Sequence, residues 1–202
     1  MVAPLDQVDD HARLDLRSAQ VLCADESSQG LDILSQILMG FGVQHIVRAQ
    51  SADEVRHILS SQTLDLMLLD AGLGGNGHEI VRWLRTSQLE PNRYIPVLVL
   101  AGYTPKSQIE QARDCGSSFV VTKPISAKVL LERIFWLGRA KRLFVEAPNY
   151  SGPDRRFKND GVPGGVQGRR KGDLSAHVGE AQAPNMSQDQ IDSLIKPQKV
   201  AL

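Results

Sequence analysis

Only two cysteines, Cys23 and Cys115, occur in 202 residues. That excludes a disulfide framework of the kind that staples small secreted domains. Both stand in apolar neighbourhoods where a buried free thiol is expected, and a reducing, cytoplasmic setting fits them. No apolar run approaches the ~18 residues that a membrane-spanning helix needs; the longest, 95–101, is strand-sized and contains Pro96. The first fifteen residues mix Asp6, Asp9, Asp10, Arg13 and Asp15 without an apolar stretch, so neither a secretory leader nor membrane insertion is expected. Charge of one sign is also missing, since 23 basic residues balance 23 acidic ones. A strongly basic nucleic-acid binder and a polyacidic tail protein are thereby set aside. His11, His45, His57, His78 and His177 show no spacing to Cys or acidic residues typical of zinc. There is no phosphate-cradling glycine loop, nucleophile elbow or helix-turn-helix, so the chain is expected to be neither an enzyme nor a DNA binder.

What is present is unevenly distributed. The 42% hydrophobic content suffices for one sizeable core. The zero net charge hides a polarity, because residues 1–149 carry 15 basic and 17 acidic groups whereas 150–202 carry 8 and 6. The composition shifts near residue 147, and the last 53 residues hold seven glycines and four prolines. With few large apolar residues before Ile191, most of that segment cannot offset its own ordering entropy and is expected to be largely disordered. The expected organisation is an N-terminal extension over 1–17, a globular domain over 18–142, a flexible arginine-rich tail over 143–185 and a short amphipathic peptide over 186–202.

Strand-like and helix-like segments alternate within the globular part. Strands are expected over 19–23, 45–49, 64–69, 95–101 and 119–121, the fourth being the most apolar and hence central. Between them, Leu31, Ile33, Leu34, Ile37 and Leu38 recur at helical spacing up to Gly40. Ser51 and Glu54 form a capping box ahead of Val55, Ile58 and Leu59. Ile80, Val81 and Leu84 mark a third helix, and Thr104-Pro105 opens a fourth with proline in the first turn. Ser126 caps a fifth, carrying Val129, Leu130, Ile134, Leu137 and Leu143. Five strands alternating with five helices imply an α/β fold with a parallel sheet, because parallel strands require crossover connections. Ligands of such sheets bind beyond the carboxyl ends of the strands.

Ionisable residues stand at three of those ends: Asp25-Glu26 after the first strand, Asp70 after the third and Lys123 after the fifth. Converging carboxylates are hard oxygen donors suited to Mg²⁺, which takes one or two of them plus waters and phosphate oxygens. An Asp beside the ion can attack a phosphoryl group while a lysine holds the phosphate oxygens.

These residues resemble the CheY-like receiver domain of two-component response regulators over roughly 18–142. The likeness rests on Val-Leu-Cys-Ala-Asp25-Glu26, on Leu-Met-Leu-Leu-Asp70 followed by a loop and Gly77, on Ile-Pro-Val-Leu-Val-Leu, and on Val-Val-Thr-Lys123-Pro124. It implies a flavodoxin-like sheet in the order 2-1-3-4-5, Asp70 as phosphoacceptor and Lys123 as phosphate contact. It further implies Asp25, Glu26, Asp70 and the Gly72 carbonyl as ligands of Mg²⁺, a cis bond before Pro124, and a histidine kinase or phosphotransfer protein as phosphoryl donor. The sequence departs from the family in three places. Where the family carries Thr or Ser at the end of the fourth strand, it has Ala101; where the family carries an aromatic residue on the fifth, it has Val120. The loop 71–77 is one residue short and lacks a Met-Pro pair. The hydroxyl and aromatic partners of the family's phosphorylation switch are thus missing.

In the tail, Tyr150-Ser-Gly-Pro-Asp154-Arg155-Arg156 is followed by Gly168-Arg169-Arg170-Lys-Gly-Asp173. Arginine can donate two parallel hydrogen bonds to guanine O6 and N7, pair with phosphate or stack on a base, and aspartate can accept from the guanine N1 and N2 donors. Tyr150 offers a stacking face. Two such half-sites suit a ligand with two guanines and two phosphates; a solvated polar linker is the plain alternative. Residues 150–173 resemble the arginine-rich cyclic di-GMP-binding extension of a bacterial subgroup of CheY-like proteins that act at the flagellar motor. That likeness implies Tyr150, Asp154, Arg155, Arg156, Arg169, Arg170 and Asp173 as ligand contacts, and control of chemotaxis and motility by protein contact.

Over 186–195, Ser187 and Gln190 form a second capping box, and Ile191, Leu194 and Ile195 share one helical face. A helix this short needs a surface to dock on. The string resembles the N-terminal peptide of the flagellar motor switch protein, so the expected partner is a receiver groove, its own or another's, or a motor component.

Overall fold

The computed structural model describes residues 15–102, 105–139 and 142–154. His11, Thr104, Arg155, Arg156, Arg169, Arg170, Asp173, His177 and the terminal peptide 186–202 lie outside the described residues. Five parallel strands form one sheet in the order β2-β1-β3-β4-β5, namely β1 (Gln20–Ala24), β2 (His45–Ala49), β3 (Leu66–Asp70), β4 (Val97–Ala101) and β5 (Phe119–Thr122). The crossovers are α1 (Ser28–Gly40), α2 (Ala52–Ser61), α3 (Gly77–Thr86) and α4 (Lys106–Asp114), and α5 (Ala127–Arg139) closes the array.

Alternation along each strand feeds two cores, one on each face. Val21, Cys23, Leu68, Leu98 and Val121 face the side covered by α1 and α5, where Leu31, Leu34, Leu38, Leu130 and Ile134 meet them. Leu22, Ala24, Met67, Leu69, Val97 and Val99 face the other side, against Val55 and Leu59 of α2, Ile80, Val81 and Leu84 of α3, and Ile109 of α4. Burial on both faces makes these strands nearly continuous apolar runs. Each fully buried Leu or Val contributes about 1.5–3 kcal/mol of transfer free energy.

Local chemistry sets the helix starts. The Ser27 hydroxyl accepts from the Gly30 amide at 3.1 Å ahead of α1. Before α2, the Ser51 hydroxyl accepts from the Glu54 amide at 3.2 Å, while the Glu54 carboxylate accepts from the Gln50 amide at 2.7 Å. The box therefore closes one residue upstream of the expected partner. Pro105 adopts extended backbone and precedes α4 instead of standing in its first turn. Leu143 lies past the end of α5 and is exposed, so it is not part of that helix's apolar stripe. The peptide bond before Pro124 is cis, as the resemblance implies, and so is the one before Pro91.

The chain does not become a loose tail at residue 143. A two-residue turn, Pro148-Asn149, joins β6 (Phe144–Ala147) to β7 (Tyr150–Pro153) in an antiparallel pair, with Val145 opposite Gly152 and Glu146 opposite Ser151. Proline at the first central position, with its φ fixed at about −65°, keeps this turn out of the positive-φ types that most often close two-residue hairpins. An isolated hairpin is at best marginally stable, and this one is docked on the domain. Tyr94 and Phe144 meet edge to face at 4.8 Å between ring centroids, and Arg93 donates to the Glu146 carboxylate at 2.6 Å. Among the described residues no helix is long and apolar enough to cross a membrane.

Candidate functional site: an acidic pocket bridged by lysine

The parallel sheet delivers Asp25, Asp70 and Lys123 to one end, each just at or beyond a strand's carboxyl terminus. Lys123 Nζ donates to Asp25 Oδ2 at 2.8 Å and to Asp70 Oδ1 at 2.6 Å. Two carboxylates thus converge on a single cationic point. Their remaining oxygens are held by backbone: Asp25 Oδ1 accepts from the Ser27 amide at 2.9 Å, and Asp70 Oδ2 from the Gly72 amide at 2.8 Å. The Asp70 carboxylate is consequently fixed in orientation by a donor on each oxygen. Asp25 is 4% exposed, a depth at which a carboxylate needs such compensation. Burial works against the charged form of Lys123, but its hydrogen bonds to Asp25 and Asp70 and their negative charge outweigh it and raise its pKa above the ordinary lysine value. It stays cationic at neutral pH.

The other two residues expected at the metal turn elsewhere. Glu26 Oε1 accepts from the Gly74 amide at 2.8 Å, and the Gly72 carbonyl accepts from the Gly75 amide at 2.8 Å inside the turn Leu73–Gly75. Asp25, Asp70 and Lys123 are brought together; Glu26 and the Gly72 carbonyl are engaged by the loop that follows β3. Among the described residues no cluster of three or more His, Cys, Asp or Glu is gathered around one point. The donor set still fits a divalent ion, because two hard carboxylates already face one positive charge, and Glu26 is tied only by a single amide at an exposed site. Gly77, at the start of α3, packs so close that a Cβ there would sit 2.4 Å from the Asp70 carbonyl, so only glycine lets α3 begin beside this strand end.

Around the pocket, Ala101 is buried and stands in register with Thr122, and Val120 is buried against Val99. No hydroxyl comes from the end of β4, and the one ring of β5, Phe119, packs in the core on the side of α1 and α5 and not at the pocket. The hydroxyl nearest in register is that of Thr122, on the edge strand, which sequence reading did not single out.

The two candidate ligand contacts of the tail within the described residues, Tyr150 and Asp154, belong to the hairpin. Tyr150 is half-buried, its hydroxyl donates to the Pro153 carbonyl at 2.6 Å, and the Asp154 amide donates to the Leu143 carbonyl at 2.7 Å. Arg142 donates from Nε to the Asp154 carbonyl at 3.0 Å and from Nη1 to the Ser118 carbonyl at 3.3 Å. Among the buried polar residues that sequence reasoning did not single out are Arg85, Asn92 and Arg133, and His78, considered there only for zinc, is buried as well. Arg85, near the end of α3, is 1% exposed, and desolvation pushes its pKa down to about 10. A charged residue on a helix reads as solvent-facing, and no local pattern signals otherwise. His78 is buried between α3 and α4, with Nε2 3.1 Å from Gln108 Oε1.

Comparison with known proteins agrees with this geometry. The chemotaxis protein CheY of Pseudomonas aeruginosa is 27% identical over 116 residues, 57% of this chain and 92% of that protein. The sensory/regulatory protein RpfC of Xanthomonas campestris pv. campestris is 26% identical over 123 residues, 60% of this chain but 17% of the other's length. Among solved structures, the receiver domain of a Syntrophus aciditrophicus signal transduction histidine kinase superposes with a TM-score of 0.55 at 23% identity, covering 65% of this chain and 99% of that one. The chemotaxis response regulator CheY4 of Vibrio cholerae does so with 0.54 at 21% identity, covering 59% and 98%. Residues 21–135 match the response regulator receiver domain, more than half of the chain, and the chain belongs to that family.

Proposed function

We propose that this chain is a cytoplasmic response regulator that acts by protein contact in chemotaxis or flagellar motility control, and that cyclic di-GMP, bound by its arginine-rich tail, gates that contact. The observation that carries the reading is the string Tyr150 to Arg156 followed by Gly168-Arg169-Arg170-Lys-Gly-Asp173, directly after a receiver. Two Arg-Arg pairs supply bidentate donors for two guanines and two phosphates, with Asp154 and Asp173 as acceptors for guanine donors. Binding of the ligand by these side chains creates or releases a face for a protein partner, which is how it gates the contact. The position of Ala101, where the family carries a hydroxyl, supports a switch outside the pocket. Calorimetric titration of the full chain with cyclic di-GMP tests this. Saturable heat at micromolar ligand, lost when Arg155, Arg156, Arg169 and Arg170 become alanine, is the expected result; no heat, or heat indifferent to the four arginines, contradicts it.

The lysine-bridged carboxylates favour a second reading, a stand-alone phosphoreceiver whose tail is a linker. The Asp70 carboxylate, aimed by Lys123 and the Gly72 amide, attacks the phosphorus of a phosphohistidine on a kinase or phosphotransfer protein. An O–P bond forms, the P–N bond breaks, and the leaving imidazole nitrogen takes up a proton. Asp25, with Glu26 once released from Gly74, would hold Mg²⁺, which neutralises the transferring phosphoryl oxygens. Lys123 then exchanges Asp70 for a phosphoryl oxygen. Acetyl phosphate with Mg²⁺ should add one phosphoryl mass to the wild type and none to Asp70→Asn; an unmodified wild type retires this reading.

A further inference from the structure

The last described residues show how the tail leaves the domain. Gly152 of β7 is buried against Gly116, which has φ +91° in the turn before β5. A Cβ on Gly152 would lie 2.8 Å from the Gly116 Cα and 2.8 Å from the Tyr150 hydroxyl oxygen; one on Gly116 would lie 2.5 Å from the Ser151 carbonyl oxygen. Two backbones therefore touch where neither tolerates a side chain. Arg85 lies underneath, donating from Nε to the Gly116 carbonyl at 3.0 Å and from Nη1 to the Arg93 carbonyl at 2.6 Å, with its guanidinium 5.8 Å from the centre of the Phe144 ring. The Arg85 carbonyl in turn accepts from the Ser151 hydroxyl at 2.8 Å. At the exit, Arg142 grips the carbonyl of Asp154, which belongs to the peptide unit leading into Arg155-Arg156. All these contacts lie beside residues preceding β4 and β5, at the end of the sheet opposite Asp70. They are about 15 Å away, the length of the ten-residue α3.

We propose that the hairpin 143–154 is a positioning device for the arginine-rich segment. Latched through Arg85, Gly116 and Gly152 and pinned by Arg142, it fixes on the receiver the point, Asp154, from which the chain runs into the first Arg-Arg pair. The tail then binds cyclic di-GMP as an extension of the folded domain and not as a free peptide. The inference rests on the cyclic di-GMP reading above and adds which residues outside the arginine pairs set the affinity. Preorganisation raises affinity by removing ordering cost from the binding step. Gly152 and Arg142 lie outside the matched span 21–135, so the folding of that span can be followed separately from the hairpin.

The test uses the full chain in three forms, wild type, Gly152→Val and Arg142→Met, titrated with cyclic di-GMP. Amide spectra of residues 21–135 check that the receiver stays folded, and Arg142→Lys, which can restore one donor to the Asp154 carbonyl, serves as the conservative variant. The expected result is binding weakened about tenfold or more in Gly152→Val and Arg142→Met, partly regained in Arg142→Lys, with receiver resonances away from the hairpin unmoved. Wild-type affinity in both disruptive variants overturns this inference and leaves the ligand reading standing. Absence of binding in the wild type overturns both.

Discussion

Lys123 is the residue whose removal is most informative, because it neutralises two carboxylates at once. Lys123→Met leaves Asp25, buried, and Asp70 facing each other without a cation. Loss of roughly 1–3 kcal/mol is expected from urea unfolding, below the figure for a fully enclosed pair because the lysine is part-exposed. Its raised pKa means that the stabilisation is present below the ordinary lysine value of 10.5 and fades as pH climbs through the higher folded value. His78 carries the opposite pH signature. Burial holds its pKa below the ordinary 6.5, against the opposing hydrogen bond with Gln108. The folded state then takes up its proton less readily than the unfolded one, and stability falls as pH drops below about 6.5. His78→Gln should flatten that acid limb in thermal melts between pH 7 and 5; an unchanged slope contradicts the assignment. The thiols give a third residue-scale expectation. Desolvation lifts Cys23 to about 12 and Cys115 to about 11, so an aromatic disulfide reagent at pH 8 should label neither until the chain is unfolded.

At the scale of elements, helix starts and strand interiors were legible because each rests on a local rule. Ser51 and Glu54 announce α2, and Ser51→Ala should cost about 1 kcal/mol in thermal or urea unfolding. The runs at β3 and β4 read as strands because burial on both faces requires them to be apolar throughout. The hairpin 144–153 was not legible. Pro148, Gly152 and Pro153 read as breakers, and its large apolar residues are only Phe144, Val145 and Tyr150. Its stability comes from a groove whose floor is Arg85 and Gly116, residues more than 25 positions earlier in the chain. The same limit applies in the pocket. Strand ends announced Asp25, Asp70 and Lys123, but that Glu26 turns to the Gly74 amide depends on the path of the loop after β3, which no spacing rule encodes.

At the scale of the whole molecule, two functional ends face apart. The acidic pocket lies beyond the carboxyl ends of β1, β3 and β5, and the hairpin that leads into the arginine-rich segment lies at the other end of the sheet. The zero net charge is the sum of residues 1–149, with 15 basic against 17 acidic groups, and residues 150–202, with 8 against 6. Ala101 and Val120 stand at the first end where the family carries a hydroxyl and a ring, and the proposed function therefore places control at the second end. An amide correlation spectrum of the ¹⁵N-labelled full chain, recorded with and without cyclic di-GMP, tests that claim most directly. The account predicts that the amides of Arg155, Arg156, Arg169 and Arg170 shift and disperse, with smaller shifts along 144–154. Superimposable spectra at saturating ligand would contradict it.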